Sequence, residues 1–268
     1  MDNRSFAVNS NGIQGKKSKR GISGSTLKLI AIITMLIDHI AAVVLEKIII
    51  RSGGFSDIFT RAFRDGDTLS IIYLLMRAIG RIAFPIFCFL LVEGFLHTRN
   101  VWKYAFRLAL FALISEIPFD LAIHAEAFYF GYQNVFFTLL IGLLVLIGIK
   151  TVSEKLDKRN AVLSTLAQVI IVVVGVVVAE LLKTDYSGLG ILTLVVMYSL
   201  RKNHVISMLG GCLVLTMLNF FEIAAFLDLI PVWLYNGKRG LKLKYVFYIF
   251  YPAHLFILYL ICYFMDIL

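Results

Sequence analysis

Between Ala161 and Leu182 the chain carries a single charge, Glu180, and its centre reads QVIIVVVGVVVA. Such a run has no polar face to turn toward water. A helix of about 20 apolar residues does, however, cross the roughly 30 Å of a bilayer's hydrocarbon core. Similar runs recur along the 268 residues, of which 60% are hydrophobic, and mean hydropathy is +0.87. No segment alternates at period two over the length a membrane strand needs, which argues against a β-barrel. The pattern predicts an all-α fold, a polytopic helical membrane protein.

Nine spans account for the apolar runs: 27–49, 69–97, 104–124, 133–150, 161–182, 187–200, 205–219, 223–236 and 245–267. The division between the seventh and eighth is the least sharply marked. Pro85 should kink the second span, because it removes a backbone donor. Residues 1–26 read as a flexible tail ending in Lys16, Lys17, Lys19 and Arg20, and 27–268 as one transmembrane domain. With a cytoplasmic N-terminus and nine alternating spans, nineteen of the 26 Lys and Arg fall on the inner side. That bias obeys the positive-inside rule and places the C-terminus outside.

The polar residues inside these runs are the anomaly. An ionisable side chain at bilayer depth costs roughly 2.5–3.5 kcal/mol on insertion scales, so it persists only with partners or a task. The second span carries Arg77 and Arg81, four residues apart and therefore on one helix face, and then Glu93 near its inner end. Asp38-His39 interrupts the first span at a similar depth. Glu116 and Asp120 share the i, i+4 spacing in the outer part of the third. Gln133-Asn134 and Asp185-Tyr186 also fall near the outer surface, and His97, Arg99 and Arg107 near the inner one. A plain structural reading pairs Arg77 and Arg81 with Glu116 and Asp120 as interhelical locks. Asp38 cannot share a face with His39 and is expected to reach another helix, such as that of Arg77. His254, in YPAH, fits either a packed polar residue or a site member.

The +9 charge is spread over loops with no aromatic-interleaved basic patch, so nucleic acid is not an expected partner. Cys88, Cys212 and Cys262 lie in apolar runs without metal-ligand spacing, and no metal is predicted.

Taken in order, ITMLIDHI (33–40), RAIGRIAFPIFCFLLVEGFLHTRN (77–100), RLALFALISEIPFDLA (107–122), QNVFFTLLIGL (133–143), DYSGLGIL (185–192), YNGKRG (235–240) and YPAHL (251–255) resemble the TraX family. These are membrane proteins linked to acetylation of the F-type conjugative pilin. The resemblance covers nearly all of the chain after residue 26. It extends, more loosely, to membrane acyltransferases that pass an acetyl group from cytoplasmic acetyl-CoA to an acceptor across the bilayer. It implies a multi-pass protein of the bacterial cytoplasmic membrane, with the site at His39, Arg77 and Arg81.

Acetyl transfer needs a base for the nucleophile and positive charge for the developing oxyanion. His39, oriented by Asp38 or by a neighbouring helix, is the expected base. Arg77, Arg81, Glu93 and Arg99 are the expected contacts for acetyl-CoA, with Arg77 and Arg81 either stabilising the oxyanion or holding phosphate or pantetheine oxygens. Glu116, Asp120, Gln133, Asn134, Asp185 and Tyr186 are expected to receive the acceptor, a peptide amine or a glycan hydroxyl. Two competing readings use the same residues: a proton-coupled transporter, and a non-catalytic assembly factor of a conjugation or secretion system.

Overall fold

A computed structural model describes residues 21–53, 56–156, 160–241 and 244–268. The basic cluster of the N-terminal tail lies outside these residues. Every regular element among the described residues is helical. The elements are α1 (Gly24–His39), a π-helical turn (Ile40–Leu45), α2 (Glu46–Arg51), α3 (Ile58–Phe63), α4 (Thr68–Gly80), α5 (Ala83–His97), α6 (Val101–His124) and α7 (Val135–Lys155). They continue with α8 (Ala161–Leu181), α9 (Ser187–Ser199), α10 (His204–Leu215), a 3-10 helix (Phe220–Asp228), α11 (Leu229–Trp233) and α12 (Lys244–Phe264).

Five helical stretches have the length and composition to cross a membrane: Gly24–Arg51, Thr68–His97, Val135–Lys155, Ala161–Leu181 and Tyr245–Phe264. The 24-residue α6 is long enough, about 36 Å at 1.5 Å per residue, but carries more charge. One expectation needs correcting, and the kink expected from Pro85 is located. The run 223–236 is not one spanning helix but the end of a 3-10 stretch, the short α11 and a turn. The break in the second span comes at Arg81-Ile82, one turn before Pro85. The proline ring displaces the carbonyl four residues earlier, and that carbonyl belongs to Arg81. The amides of Arg81 and Ile82 fall back on three-residue bonds to Ala78 and Ile79 (3.2 and 3.3 Å).

Side-chain caps fix where the helices begin. Ser23 caps α1, Asp67 caps α4, Asn100 caps α6, Asn134 caps α7 and Asn203 caps α10. α8 buries only Gly175 and Ala179, one turn apart, and presents its Val-rich remainder outward. A Cβ at 175 would meet Val145 Cγ2 at 2.3 Å, so this small-residue stripe is what lets α7 approach.

Contacts between chain ends mark two faces. Near Gly24, the Ile22 amide donates to Leu234 and the Gly24 amide to Lys238 (3.0 and 2.8 Å). At the far end, Arg51 reaches Asp266, beyond the end of α12. α12 therefore runs alongside α1–α2, and the chain finishes on the face opposite its described beginning.

Candidate functional site

Asp38 sits on the last turn of α1 against α4. Its Oδ2 accepts from Arg77 Nη1 at 2.7 Å and its Oδ1 from Arg81 Nη2 at 3.3 Å. Arg81 Nη1 also donates to Glu222 Oε1 at 3.0 Å, and its Nε donates to the Arg77 carbonyl. Two carboxylates thus neutralise two guanidiniums. The side chains of Asp38 and Arg81 are 14% exposed and that of Glu222 is fully buried. Desolvating such charges costs several kcal/mol per ion, and only close pairing offsets it. Arg77 does reach Asp38, as expected from sequence. The alternative lock fails, since the partners are Asp38 and Glu222 and not Glu116 or Asp120. Glu222 was missed; its only sequence signal is a lone acid in the apolar run FFEIAAF.

His39, next in the chain, faces away from that quartet. Its Nδ1 lies 2.6 Å from Nε2 of His254, whose own Nδ1 lies 2.7 Å from the Phe250 carbonyl. Both oxygens of Asp38 are taken by arginine, so the neighbouring helix orients this imidazole and Asp38 does not. The chain widens into the π-helical turn immediately after His39, a distortion frequent at functional sites. Tyr251 presents its ring edge-on to His39 with centroids 5.9 Å apart.

The remaining predicted residues divide into two groups. Asp185 and Tyr186 occupy a strained turn between α8 and α9, where Lys183, Tyr186 and Ser187 all have φ between 48° and 61°. Left-handed backbone at non-glycine residues persists only when the surroundings over-determine it, and it clusters at functional sites. Here the Asp185 amide donates to Gln133 O (2.9 Å), Tyr132 Oη donates to Asp185 Oδ1 (2.6 Å), and Tyr186 stacks on Phe84. Burial pushes the Asp185 carboxyl above the usual carboxylate range, opposed by the Tyr132 hydrogen bond and by Arg81. By contrast, Asn134 is fully buried, with its amide committed to capping α7 and to Ala112 O and Glu116 Oε2. Asp120 accepts the Tyr129 amide at 2.9 Å. These groups tie α6 to the loop before α7.

A cavity of about 430 Å³ opens on the Gly24 face, within the range of small-molecule sites. Lys28, Arg107 and Arg239 line its outer part with Glu93 and His97, whereas Met35, Phe87, Phe136 and Tyr251 line its depth. Lys28 and Met35 lie on one face of α1, and His39 follows Met35 by one turn on that face. The lining on α1 reaches Met35, one turn before His39. Glu93 lines the cavity, as its predicted position implied; Arg99 is exposed and does not. Lys28 and Arg107 looked like ordinary span-end cations in sequence, and only the packing of α1, α6 and α12 brings them together. No cluster suited to a metal ion exists among the described residues.

A multi-pass helical membrane protein with a buried ionic quartet and a paired-histidine centre is the class these features define. The chain belongs to the TraX protein family, whose profile it matches over residues 23–262. It is also 31% identical over 262 residues to the probable fimbrial assembly protein FimC, serogroup H1, of Dichelobacter nodosus. That alignment covers 88% of this chain and 94% of the relative. No solved structure matches it.

Proposed function

We propose that this protein transfers an acetyl group from cytoplasmic acetyl-CoA to an amine or hydroxyl presented at the outer face, either a pilin or fimbrial N-terminus or an envelope glycan. In this reading nine crossings place the Gly24 face in the cytoplasm. The observation that carries it is the line Lys28, Met35, His39 along one face of α1, running from a basic mouth through an apolar shaft to an imidazole.

The donor set suits the group. Lys28, Arg107 and Arg239 meet phosphate charge at the mouth, without Arg77, Arg81 or Arg99, and the apolar lining takes the pantetheine arm. When bound, acetyl-CoA supplies an activated acetyl thioester. Overall, a C–S bond is exchanged for a C–N or C–O bond, the acceptor gives up one proton and CoA leaves as the thiol. His39 takes the acceptor's proton as general base and returns it to the departing thiolate. Arg77 and Arg81 hold Asp38 and fix the end of α1, while Asp185 and Tyr186, beside Arg81, face the acceptor.

The test is transfer of radiolabel from acetyl-CoA to envelope material of a strain lacking the gene, using purified protein. Loss of transfer in both His39→Ala and Arg81→Ala supports the reading; normal turnover in both overturns it. A second reading, a non-catalytic assembly factor, is favoured by the name of the Dichelobacter relative. It predicts no binding of acetyl-CoA by calorimetry.

A further inference from the structure

We infer that His254 is the positioning residue of His39, holding it in the tautomer whose lone pair sits on Nε2. As a statement about catalysis this rests on the acetyl-transfer reading; as a statement about the histidine pair it does not. The argument starts at the far end of the chain of contacts. A carbonyl oxygen can only accept, so the nitrogen 2.7 Å from Phe250 O, Nδ1 of His254, must carry hydrogen. In a neutral ring Nε2 of His254 is then an acceptor. It faces Nδ1 of His39 at 2.6 Å, where two lone pairs would repel, so the proton between them belongs to His39. Nδ1–H of His39 donates, and the lone pair is left on Nε2.

The environment fixes this order. His254 is buried, with its ring stacked on Phe250 and flanked edge-on by Tyr251. Nε2 of His39 has no hydrogen-bond partner among the described residues, yet it is not among the buried atoms left unsatisfied. It therefore keeps some accessible surface and an uncommitted lone pair. Asp38 cannot do this work, because Arg77 and Arg81 occupy both of its oxygens. The device resembles the carboxylate that orients a catalytic histidine, but a neutral imidazole replaces the carboxylate. It selects a tautomer without adding a negative charge beside the quartet. When His39 accepts a proton on Nε2, its Nδ1–H becomes a charge-assisted donor to the same acceptor, which strengthens the bond.

Two variants of the purified full-length protein test this. His254→Leu removes the acceptor; His254→Gln keeps one at the place of Nε2. Nitrogen-15 spectra of histidine-labelled protein, with the His39 signals identified by their loss in His39→Ala, report the tautomer directly. Wild type and His254→Gln should show His39 protonated on Nδ1, whereas His254→Leu should shift it toward Nε2–H. In radiolabel transfer from acetyl-CoA, His254→Leu should lower kcat about 100-fold, the low end for losing a positioned general base. KM for acetyl-CoA should change less than about twofold, and His254→Gln should recover at least about tenfold. An Nε2–H tautomer in wild type, or no tautomer change in His254→Leu, overturns the inference. If wild type transfers no acetyl group, the acetyl-transfer reading fails while the spectra still decide the positioning.

Discussion

Gly80 packs directly on Asp38: a Cβ built at residue 80 would stand 2.2 Å from the Asp38 Oδ1 and 2.3 Å from its Cβ. Only a residue without a side chain lets α4 come close enough to α1 for both Arg77 and Arg81 to reach one carboxylate. Gly80→Ala should therefore push the helices apart. Overpacking of this kind costs about 1–3 kcal/mol, to be read as a lowered midpoint in detergent unfolding. An unchanged midpoint would mean that the quartet tolerates a wider spacing.

Arg81 and Glu222 join α4 to the 3-10 segment across a contact whose acid is fully buried. Removing Glu222 alone leaves Arg81 with Asp38 only, so Glu222→Met should destabilise by about 3 kcal/mol. The pair should not behave additively. A double-mutant cycle with Arg81→Met and Glu222→Met should give a coupling of about 0.5–3 kcal/mol, measured by the same unfolding assay.

Asp67 caps α4, the helix that carries both arginines. Its Oδ2 accepts from the Ser70 hydroxyl at 2.5 Å and from the Ser70 amide at 3.2 Å. The Ser70 hydroxyl bond, opposed by partial burial and helped by the amide and by Arg61, holds this carboxyl below its usual range. A carboxyl lowered in the folded state stabilises the fold above its unfolded value, about 3.9. That contribution is lost as pH falls through the lower folded value. The difference in melting temperature between wild type and Asp67→Asn should be full near neutrality and shrink in this acid window. A difference independent of pH would show that the charge of Asp67 does not matter.

Arg107 is the basic residue of the cavity mouth whose guanidinium sits over an aromatic ring, 5.8 Å from the centre of Tyr104. If phosphate meets it there, Arg107→Met should raise KM for acetyl-CoA about tenfold, the loss of one charge-assisted hydrogen bond. The turnover number should stay close to wild type. The exposed Arg64, on the opposite face, provides the control, and an equal effect from Arg64→Met would point to long-range charge alone.

Much of the site was legible in the chain. Arg77 and Arg81 stood out because charge in an apolar run demands partners, and the inability of Asp38 to share a face with His39 pointed it toward another helix. Glu222 and His254 were not legible in the same way. Glu222 falls between the expected spans 205–219 and 223–236, yet it belongs to a 3-10 stretch that places the acid against Arg81. His254 is 215 residues from His39, and only the run of α12 beside α1 brings the two rings together.

By itself the sequence determined the membrane-helical class, since apolar runs of span length leave the backbone no other way to satisfy its hydrogen bonds in lipid. It also determined which residues would be costly to bury. Tertiary structure alone decided how those costs are met. Pairing depends on distances of about 3 Å between side chains on different helices, and helical periodicity fixes a residue's face but not its neighbour. Helix packing therefore assigned Asp38 to two arginines, the Asn134 amide to Ala112 and Glu116 on α6, and His39 to a second histidine.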